Sequence, residues 1–284
     1  MERTKKQAFW ALPMGLWMTL LYAIPLCIII YTSFTHQSGP GFTLDNYREF
    51  FATPLYFRAL LDSLWLSLRV VAIAFCIAFP TAYILCFVVP EKARLLLLIV
   101  MIVPFWTNYL VRAYSWFSIL GSNGILSNLL FKLGIIKLPL DILYTDLTSV
   151  IGLVHYITPM LIMLIFNTME SIGTNMIEAA NDLGASRMQT ILHVIFPLSS
   201  GGIMGGVIYV FIMSFADYIT PTTLGGQSTV VFPQLVVDFV QWTINWPMAS
   251  VLAIVMTLAV AVVIAALMSI RIAGNHREDG GSGK

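Results

Sequence analysis

The feature that most constrains this chain is a series of long apolar stretches joined by short polar connections. Six stretches each supply the roughly 20 apolar residues that an α-helix needs to cross a bilayer. A soluble domain averages about 25% charged residues, whereas 10% of these 284 residues are charged and 58% are hydrophobic. No soluble core buries so much apolar surface, so the sequence predicts an all-α polytopic membrane protein. The predicted spans are about Phe9–Phe34, Leu60–Val89, Leu95–Leu120, Leu147–Met169, Ile195–Ala216 and Pro247–Ile272.

The Lys and Arg residues of the connections predict the orientation, because cytoplasmic loops carry an excess of them. With the N-terminus inside, nine basic residues lie on the cytoplasmic side and four lie outside, while Arg69 and Arg112 fall within spans. Both termini and the connection after span four are therefore expected in the cytoplasm. The cytoplasmic set is Arg3, Lys5, Lys6, Lys92, Arg94, Arg187, Arg271, Arg277 and Lys284, and the outer set is Arg48, Arg58, Lys132 and Lys137.

The two ends of the chain determine the predicted bounds of the transmembrane domain. The apolar run from Ala8 to Ile30 exceeds a signal-peptide core of about 7–15 residues and lacks a small-x-small cleavage site, so it is predicted to remain as the first span. The Gly-Gly-Ser-Gly run before Lys284 resembles an added linker. The predicted transmembrane domain is therefore residues 1–274, followed by a tail at 275–284.

No catalytic or metal-binding cluster is visible in the sequence. The four histidines are far apart and lack zinc-protease spacing. The aromatic and basic residues lie mostly in or beside spans, which gives no support to nucleic-acid binding. Cys27, Cys76 and Cys86 lie in apolar runs without ligand or disulfide spacing and are expected to be small buried hydrophobic residues. We therefore expect a non-enzymatic chain with no metal and no cofactor of its own.

One polar stretch, residues 171–198, separates spans four and five. It predicts two short helices with a corner at Gly184, where glycine permits a left-handed conformation. The second helix is expected to run to Pro197. Small side chains at Ala179 and Ala180 would let a partner approach the first helix closely. The predicted capping pairs are Asn175 with Glu178 and Ser186 with Gln189.

This stretch resembles the EAA loop of ABC importer permeases, in which Glu-Ala-Ala is followed by three residues, Gly, nine residues and Ile-x-Leu-Pro. Here Val194 and Phe196 replace the family Ile and Leu before Pro197. The resemblance implies that residues 171–197 dock into a groove on a separate ATP-binding subunit and couple it to the spans. The alternative is an ordinary amphipathic connector. The implied coupling residues are Glu178, Ala179, Ala180, Asp182, Gly184, Ala185 and Ser186.

Polar and aromatic residues in spans three and five suggest a translocation pathway. Pro104 is expected to kink span three and free a carbonyl. Asp217 lies 20 residues after Pro197, a rise of about 30 Å, which predicts a position at the outer end of span five. There it either meets a cationic solute or only caps the helix end. The candidate pathway residues are Trp106, Asn108, Tyr109, Arg112, Asp217 and Tyr218.

Charged and small residues within the spans leave further alternatives open. Asp62 and Arg69 are seven residues apart, on one helical face, and are expected to pair. Arg112 either pairs structurally or snorkels to the interface. Two overlapping G-x-x-x-G patterns, at Gly201 to Gly206, favour close helix packing, either inside this chain or against a second subunit. Short interfacial helices are predicted at residues 43–51 and 124–134.

Further motifs resemble the first permease subunit of bacterial spermidine/putrescine importers. They are Pro104 to Asn108 with Arg112, Leu224-Gly225-Gly226, Asn245 to Ser250 and Thr43 to Tyr47. The resemblance implies a type I ABC importer permease fold in the bacterial inner membrane. It also implies a related second permease subunit in a heterodimer, two ATP-binding subunits that hold ATP and Mg²⁺, and an extracytoplasmic solute-binding protein.

The resemblance makes a polyamine the expected substrate, although importers of opines and aminophosphonates share these motifs. A stand-alone secondary transporter is the alternative from a different class, and an integral membrane enzyme is a third. The second would need no ATP-binding subunit, and the third would need a catalytic cluster that the sequence lacks.

Overall fold

The computed structural model describes residues 2–37, 39–140, 142–226 and 229–279, which form helices linked by short turns and one two-stranded hairpin. The chain divides into two compact units, one formed by residues up to Leu60 with Phe232–Val263, the other by Leu61–Val231 with the residues from Ile264. The elements are α1 (Glu2–Ser33), β1 (Thr35–His36), β2 (Gly39–Phe42), α2 (Asp45–Ala52), α3 (Pro54–Phe87), α4 (Glu91–Ile102), α5 (Tyr109–Leu120), α6 (Ile125–Lys132), α7 (Asp146–Glu170), α8 (Thr174–Asp182), α9 (Arg187–Thr190), α10 (Phe196–Ala216), α11 (Phe232–Gln241) and α12 (Trp246–Asp279).

The predicted membrane spans are confirmed except for the third. In the described part of the chain, five helical segments are long and apolar enough to cross a bilayer, and a bent pair brings the number to six if it counts as one span. The five are Pro13–Ser33, Pro54–Phe87, Asp146–Glu170, Arg187–Ala216 and Trp246–Ser269.

Span three is wrong as a single helix from Leu95 to Leu120. Its two parts, Glu91–Trp106 and Tyr109–Lys132, meet at an angle of 93°. Pro104 lies in a 3-10 turn that ends the first part, and Asn108 then starts a new helix by accepting hydrogen bonds from two backbone N–H groups. A proline alone kinks a helix, and here the new N-cap turns the kink into a break.

The first unit contains one of the two predicted interfacial helices. The predicted helix at 43–51 is observed as α2, whose Phe50 is only 3% exposed. Its ring stacks on Tyr56 at 6.0 Å between centroids and meets Phe232 edge-on at 6.4 Å. These ring contacts hold α2 against the start of α3 and of α11.

The second unit is built around α7 and α10, whose close approach depends on glycine. A Cβ at Gly202 would collide with the Thr168 side chain, and one at Gly206 would lie 3.2 Å from Leu161. Both glycines therefore serve packing inside this chain, one of the two alternatives that the sequence left open. Gly205, by contrast, has nothing within 4 Å of its Cβ position. The second predicted outer helix, at 124–134, is observed as α6.

The Leu224-Gly225-Gly226 motif is hydrogen-bonded to residues at the start of α7 and just before it. The Leu224 carbonyl accepts hydrogen bonds from the Tyr144 N–H at 2.8 Å and the Thr148 hydroxyl at 2.9 Å. A Cβ at Gly225 would collide with the Ser149 side chain, so a larger residue would push this segment away from α7.

The predicted burial is wrong for two of the three cysteines, and the predicted C-terminal tail lies only partly within the described residues. Cys86 is buried, but Cys27 and Cys76 are exposed because this chain does not cover their faces of α1 and α3. The tail predicted from residue 275 begins within α12, which continues to Asp279. Residues 280–284, which comprise the whole linker-like run and Lys284, lie outside the described residues.

Candidate coupling surface and translocation cluster

The polar stretch between α7 and α10 folds as the predicted helix, glycine corner and helix. Gly184 has a φ of +80°, which confirms the left-handed stop. The capping role predicted for Asn175 is wrong, because α8 begins at Thr174 and Gly173, with a φ of +74°, occupies the N-cap. A glycine in this conformation lets the chain turn sharply out of α7 before α8 begins.

A Schellman motif closes α8 at the corner. The Gly184 N–H donates to the Asn181 carbonyl at 2.9 Å, and the Ala185 N–H donates to the Ala180 carbonyl at 3.0 Å. This motif usually brings the side chains of its first and last residues together. Accordingly Ala180 is buried at 9% exposure. The structure thus places Ala180 against its own chain, whereas Ala179 is exposed.

The second helix begins with the predicted capping box but does not end where predicted. The Ser186 hydroxyl accepts from the Gln189 N–H, and the Gln189 side chain accepts from the Ser186 N–H at 2.8 Å. After α9 a π-helical turn at Ile191–Ile195 leads directly into α10. Because proline has no N–H and collides with the carbonyl four residues back, this wider turn lets Pro197 enter a helix that continues to Ala216.

Apolar side chains project from this polar corner, and sequence reasoning missed them. Leu183 is 90% exposed, at the end of α8 next to Gly184. We call the exposed apolar side chains of this corner the elbow surface. Exposed apolar side chains within a polar connection make this corner a candidate protein interaction site. The elbow surface consists of Met176, Leu183, Met188 and Leu192, each more than half exposed.

The predicted coupling residues surround the elbow surface. Glu178 and Asp182 are four residues apart on one face of α8, both exposed, and neither forms an ion pair with another described residue. Gly184 and Ser186 are also exposed, whereas Ala185 is half-buried. The corner thus offers apolar contacts and two unpaired carboxylates to a partner.

Two of the predicted pathway residues, Tyr109 and Asp217, meet where α5 approaches the end of α10, and with Arg112 beside them they form what we call the translocation cluster. The Tyr109 hydroxyl contacts both the Asp217 carboxylate and the Thr220 hydroxyl. Asp217 also accepts from the Thr220 hydroxyl at 2.7 Å and from the Ile219 N–H at 2.9 Å. The carboxylate therefore caps the turn that follows α10, one of its two predicted roles.

Arg112 lies against aromatic rings beside this cluster. Its guanidinium carbon is 4.9 Å from the centroid of Tyr156 and 5.7 Å from that of Tyr109. One terminal nitrogen donates to the Pro104 carbonyl at 3.1 Å, eight residues back in the chain. The side chain thus turns toward the break in span three and does not snorkel toward the outer end. Stacking of this kind offsets part of the cost of placing the cation in a span.

The other three predicted pathway residues are not part of this cluster. Asn108 uses its side chain to cap α5, accepting from Leu110 N–H at 2.9 Å. Trp106 is 85% exposed. Within the described ranges, no ring contact or hydrogen bond joins the Tyr218 side chain to the cluster. Tyr109, Arg112 and Asp217 are thus the predicted residues that the fold brings together.

The partner predicted for Arg69 is wrong. Arg69 pairs with Asp146 through two hydrogen bonds, from Nη1 to Oδ2 at 2.5 Å and from Nη2 to Oδ1 at 3.1 Å. Asp146 lies in the first turn of α7, 77 residues away in the chain, and presents both oxygens to the planar fork of the guanidinium. Asp62, on the same face of α3, is left without an ionic partner among the described residues.

A family model described as "Binding-protein-dependent transport system inner membrane component" matches residues 78–272. The chain belongs to this family. It is 34% identical over 254 residues to the "Spermidine/putrescine transport system permease protein PotB" of Salmonella typhimurium, a match that covers 87% of this chain and 88% of the relative. The protein of the same name from Escherichia coli is 33% identical, with 87% and 91% covered.

Solved structures support the fold. A chain of a bacterial alginate ABC transporter, in complex with its alginate pentasaccharide-bound periplasmic protein, superposes with a TM-score of 0.76, covering 95% of this chain and 96% of that one at 17% identity. The predicted type I ABC importer permease fold is confirmed. The protein is a permease subunit of an ABC importer and a multi-pass protein of the bacterial inner membrane.

Proposed function

We propose that this permease moves a polyamine, such as spermidine or putrescine, into the cytoplasm. The observation that carries the proposal is the 34% identity to a permease whose name gives that substrate, over 87% of this chain. The described residues add an electrostatic argument. A polycation would be repelled by free arginines in the spans, but Asp146 neutralises Arg69, whereas Arg112 keeps its charge and stacks on aromatic rings.

We infer that this chain works with several other subunits. A related second permease would complete a heterodimer, and two ATP-binding subunits would carry ATP and Mg²⁺. An extracytoplasmic solute-binding protein would deliver the substrate. The chain itself would supply no catalytic residue and hold no cofactor. The cytoplasmic orientation of both termini and of the elbow surface belongs to the same proposal.

The elbow surface is the proposed contact with an ATP-binding subunit. Leu183 would enter an apolar groove of that subunit, since an exposed leucine gains from burial about 1.5–3 kcal/mol. Glu178 and Asp182 would meet basic groups at its rim. The family resemblance of residues 171–197 supports this role, and so does the exposure of Leu183.

The helix that follows would carry the movement into the membrane. The segment Arg187–Ala216 is helical over 30 residues, about 45 Å at 1.5 Å per residue. It exceeds the roughly 30 Å of a hydrocarbon core, so α9 would project from the bilayer. A displacement at the elbow would then shift α10 together with α7, against which Gly202 is packed.

Opines and aminophosphonates are the competing substrates, and both carry anionic groups. The pairing of Arg69 with Asp146 removes one cation that an anionic solute could otherwise bind, which favours the polyamine. A stand-alone secondary transporter is disfavoured by the family assignment.

The direct experiment is to purify the complex of this permease with its co-purifying subunits and reconstitute it in liposomes. Spermidine, putrescine, an opine and an aminophosphonate would each be supplied with the cognate solute-binding protein. We expect spermidine or putrescine to raise ATP turnover and to accumulate in the vesicles. Stimulation by the opine or the aminophosphonate alone would overturn the substrate assignment.

A further inference from the structure

A cavity of about 280 Å³ opens beside the Arg69–Asp146 ion pair. Its lining includes Asp62, Trp65 and Arg69 from one face of α3, Asp146 from the first turn of α7, and Val230 from the segment after the Leu224-Gly225-Gly226 motif. Small-molecule pockets start at about 300 Å³, so the cavity suits one end of a solute better than a whole one. None of these residues belongs to the translocation cluster described above.

The charges around the cavity sum to one negative charge. Asp146 neutralises Arg69 through both of its oxygens. Asp62 is exposed, and no described residue forms an ion pair or hydrogen bond with it. An anion would therefore meet a guanidinium that is already engaged and a carboxylate that repels it. A cation would find an unpaired carboxylate at the cavity wall.

Trp65 lies between Asp62 and Arg69 along α3. Trp65 lies three residues after Asp62 and four before Arg69, which puts all three on one side of the helix. Its side chain is 61% exposed. The Arg69 guanidinium carbon already lies 5.9 Å from the centroid of this ring, a cation–π contact, and the exposed part of the indole offers apolar surface to a methylene chain. Val230 adds a second apolar wall.

We propose that this cavity binds the primary ammonium end of an alkyl amine, with the ammonium paired to Asp62 and the methylene stem lying along Trp65. The inference rests on the proposed polyamine function and adds to it a specific site in this chain. α3 is 34 residues long, about 51 Å, well beyond the roughly 30 Å of the hydrocarbon core. In the predicted orientation the cavity lies toward the outer side, where a solute leaves the binding protein.

The Arg69–Asp146 pair has a positioning role in this account. By occupying Asp146 it leaves one carboxylate for the solute, which lets a single ammonium be neutralised without trapping it between two anions. A transport site has to release its solute, and a single exposed carboxylate holds a cation more weakly than a pair would.

Two measurements keep this inference separate from the proposed function. Uptake of spermidine by the complete wild-type assembly tests the substrate. Equilibrium binding of radiolabelled spermidine to the purified complex, without the solute-binding protein, tests the cavity. We expect Asp62→Asn to raise the Kd about tenfold, the effect of losing one charge-assisted contact. Asp62→Glu should stay within about threefold, and Trp65→Leu should weaken binding more than Trp65→Phe.

Asp45→Asn is the matched control, because it removes the same charge from an exposed residue of α2 that does not line the cavity. It should leave the Kd unchanged. Butylammonium should compete with spermidine for the wild-type site, whereas butanol and butyrate should not. All variants are first checked for an unchanged elution profile of the assembled complex.

The outcomes are distinct. If the wild-type assembly takes up spermidine but Asp62→Asn binds it as well as Asp45→Asn does, the cavity inference is wrong and the proposed function stands. The same holds if butanol competes as well as butylammonium. If the wild-type assembly takes up no spermidine while another solute is imported, the substrate proposal fails and the cavity inference fails with it.

Discussion

Arg69 of α3 and Asp146 of α7 are joined by two parallel hydrogen bonds at 2.5 and 3.1 Å. The pair links two membrane-spanning helices with side chains that are 34% and 44% exposed. Removing one partner leaves the other charge unpaired in a partly dry site, which costs more than removing both.

Asp146→Asn is therefore expected to lower the thermal stability of the purified complex and the rate of polycation uptake. The loss should be of the order of 1–2 kcal/mol, between the values for exposed and buried pairs. The double variant Arg69→Gln/Asp146→Asn should recover part of the stability. A cycle of the four proteins measures the coupling, and strictly additive losses would show that the pair contributes nothing.

Leu183 supplies the sharpest test of the elbow surface. Leu183→Asp should abolish recovery of the ATP-binding subunit in pull-downs from mild detergent, because a carboxylate would replace an apolar side chain at the contact. Leu138 is also an exposed leucine, at 77%, but belongs to the connection between α6 and α7. Leu138→Asp should leave the recovery unchanged. Equal recovery with both variants would remove Leu183 from the interface.

Gly202 and Gly205 form a matched pair within one turn of α10. Gly202→Ala places a methyl group against Thr168, whereas Gly205→Ala extends into open space. We expect Gly202→Ala to destabilise the protein by about 1–3 kcal/mol and Gly205→Ala to be nearly neutral in thermal unfolding. The opposite order would contradict the packing of α10 on α7. Loss of the second permease subunit with Gly205→Ala alone would instead assign that glycine to the subunit interface.

Asp217 caps a turn, and this predicts how its variants behave. Asp217→Asn replaces one acceptor oxygen with a donor, although Tyr109 and Thr220 both direct hydroxyl groups at the carboxylate. Thermal stability should fall by about 1–2 kcal/mol, while the KM for a polycation stays within about twofold. A large rise in KM at unchanged stability would show that the carboxylate meets the solute.

The parts of the elbow that sequence reasoning predicted are governed by local contacts. The Ser186 capping box and the left-handed Gly184 depend on residues within one turn, so the sequence carries their signal directly. The N-cap was misplaced because Gly173, with its positive φ, competes with Asn175 for the start of α8. The exposure of Leu183 was not predicted, because it depends on which side of α8 the rest of the chain covers.

The remaining errors concern the partner of Arg69, which is a long-range contact, and the break in span three, which is a local one. The sequence predicts Asp62, on the same helix, as the partner of Arg69, but in the fold Asp146 of α7 binds the guanidinium with both of its carboxylate oxygens. Pro104 correctly predicted a disturbance in span three, yet the 93° break also required Asn108 to start a new helix. The contact of Tyr109 with Asp217 joins residues 108 positions apart, which no local pattern records.

The central claim is that the corner at Gly184 couples this permease to a separate ATPase. Gly184 has open space around its Cβ position, so a side chain there meets a partner before it meets its own chain. The control is Gly184→Asn, an uncharged residue that tolerates positive φ better than most.

The decisive measurement is ATP hydrolysis by the reconstituted complex, stimulated by the solute-loaded binding protein, for the wild type and Gly184→Asp. Our account predicts that Gly184→Asp inserts into the membrane normally but loses stimulated hydrolysis and uptake, with a smaller loss in Gly184→Asn. Full stimulated hydrolysis and normal uptake by Gly184→Asp would contradict it.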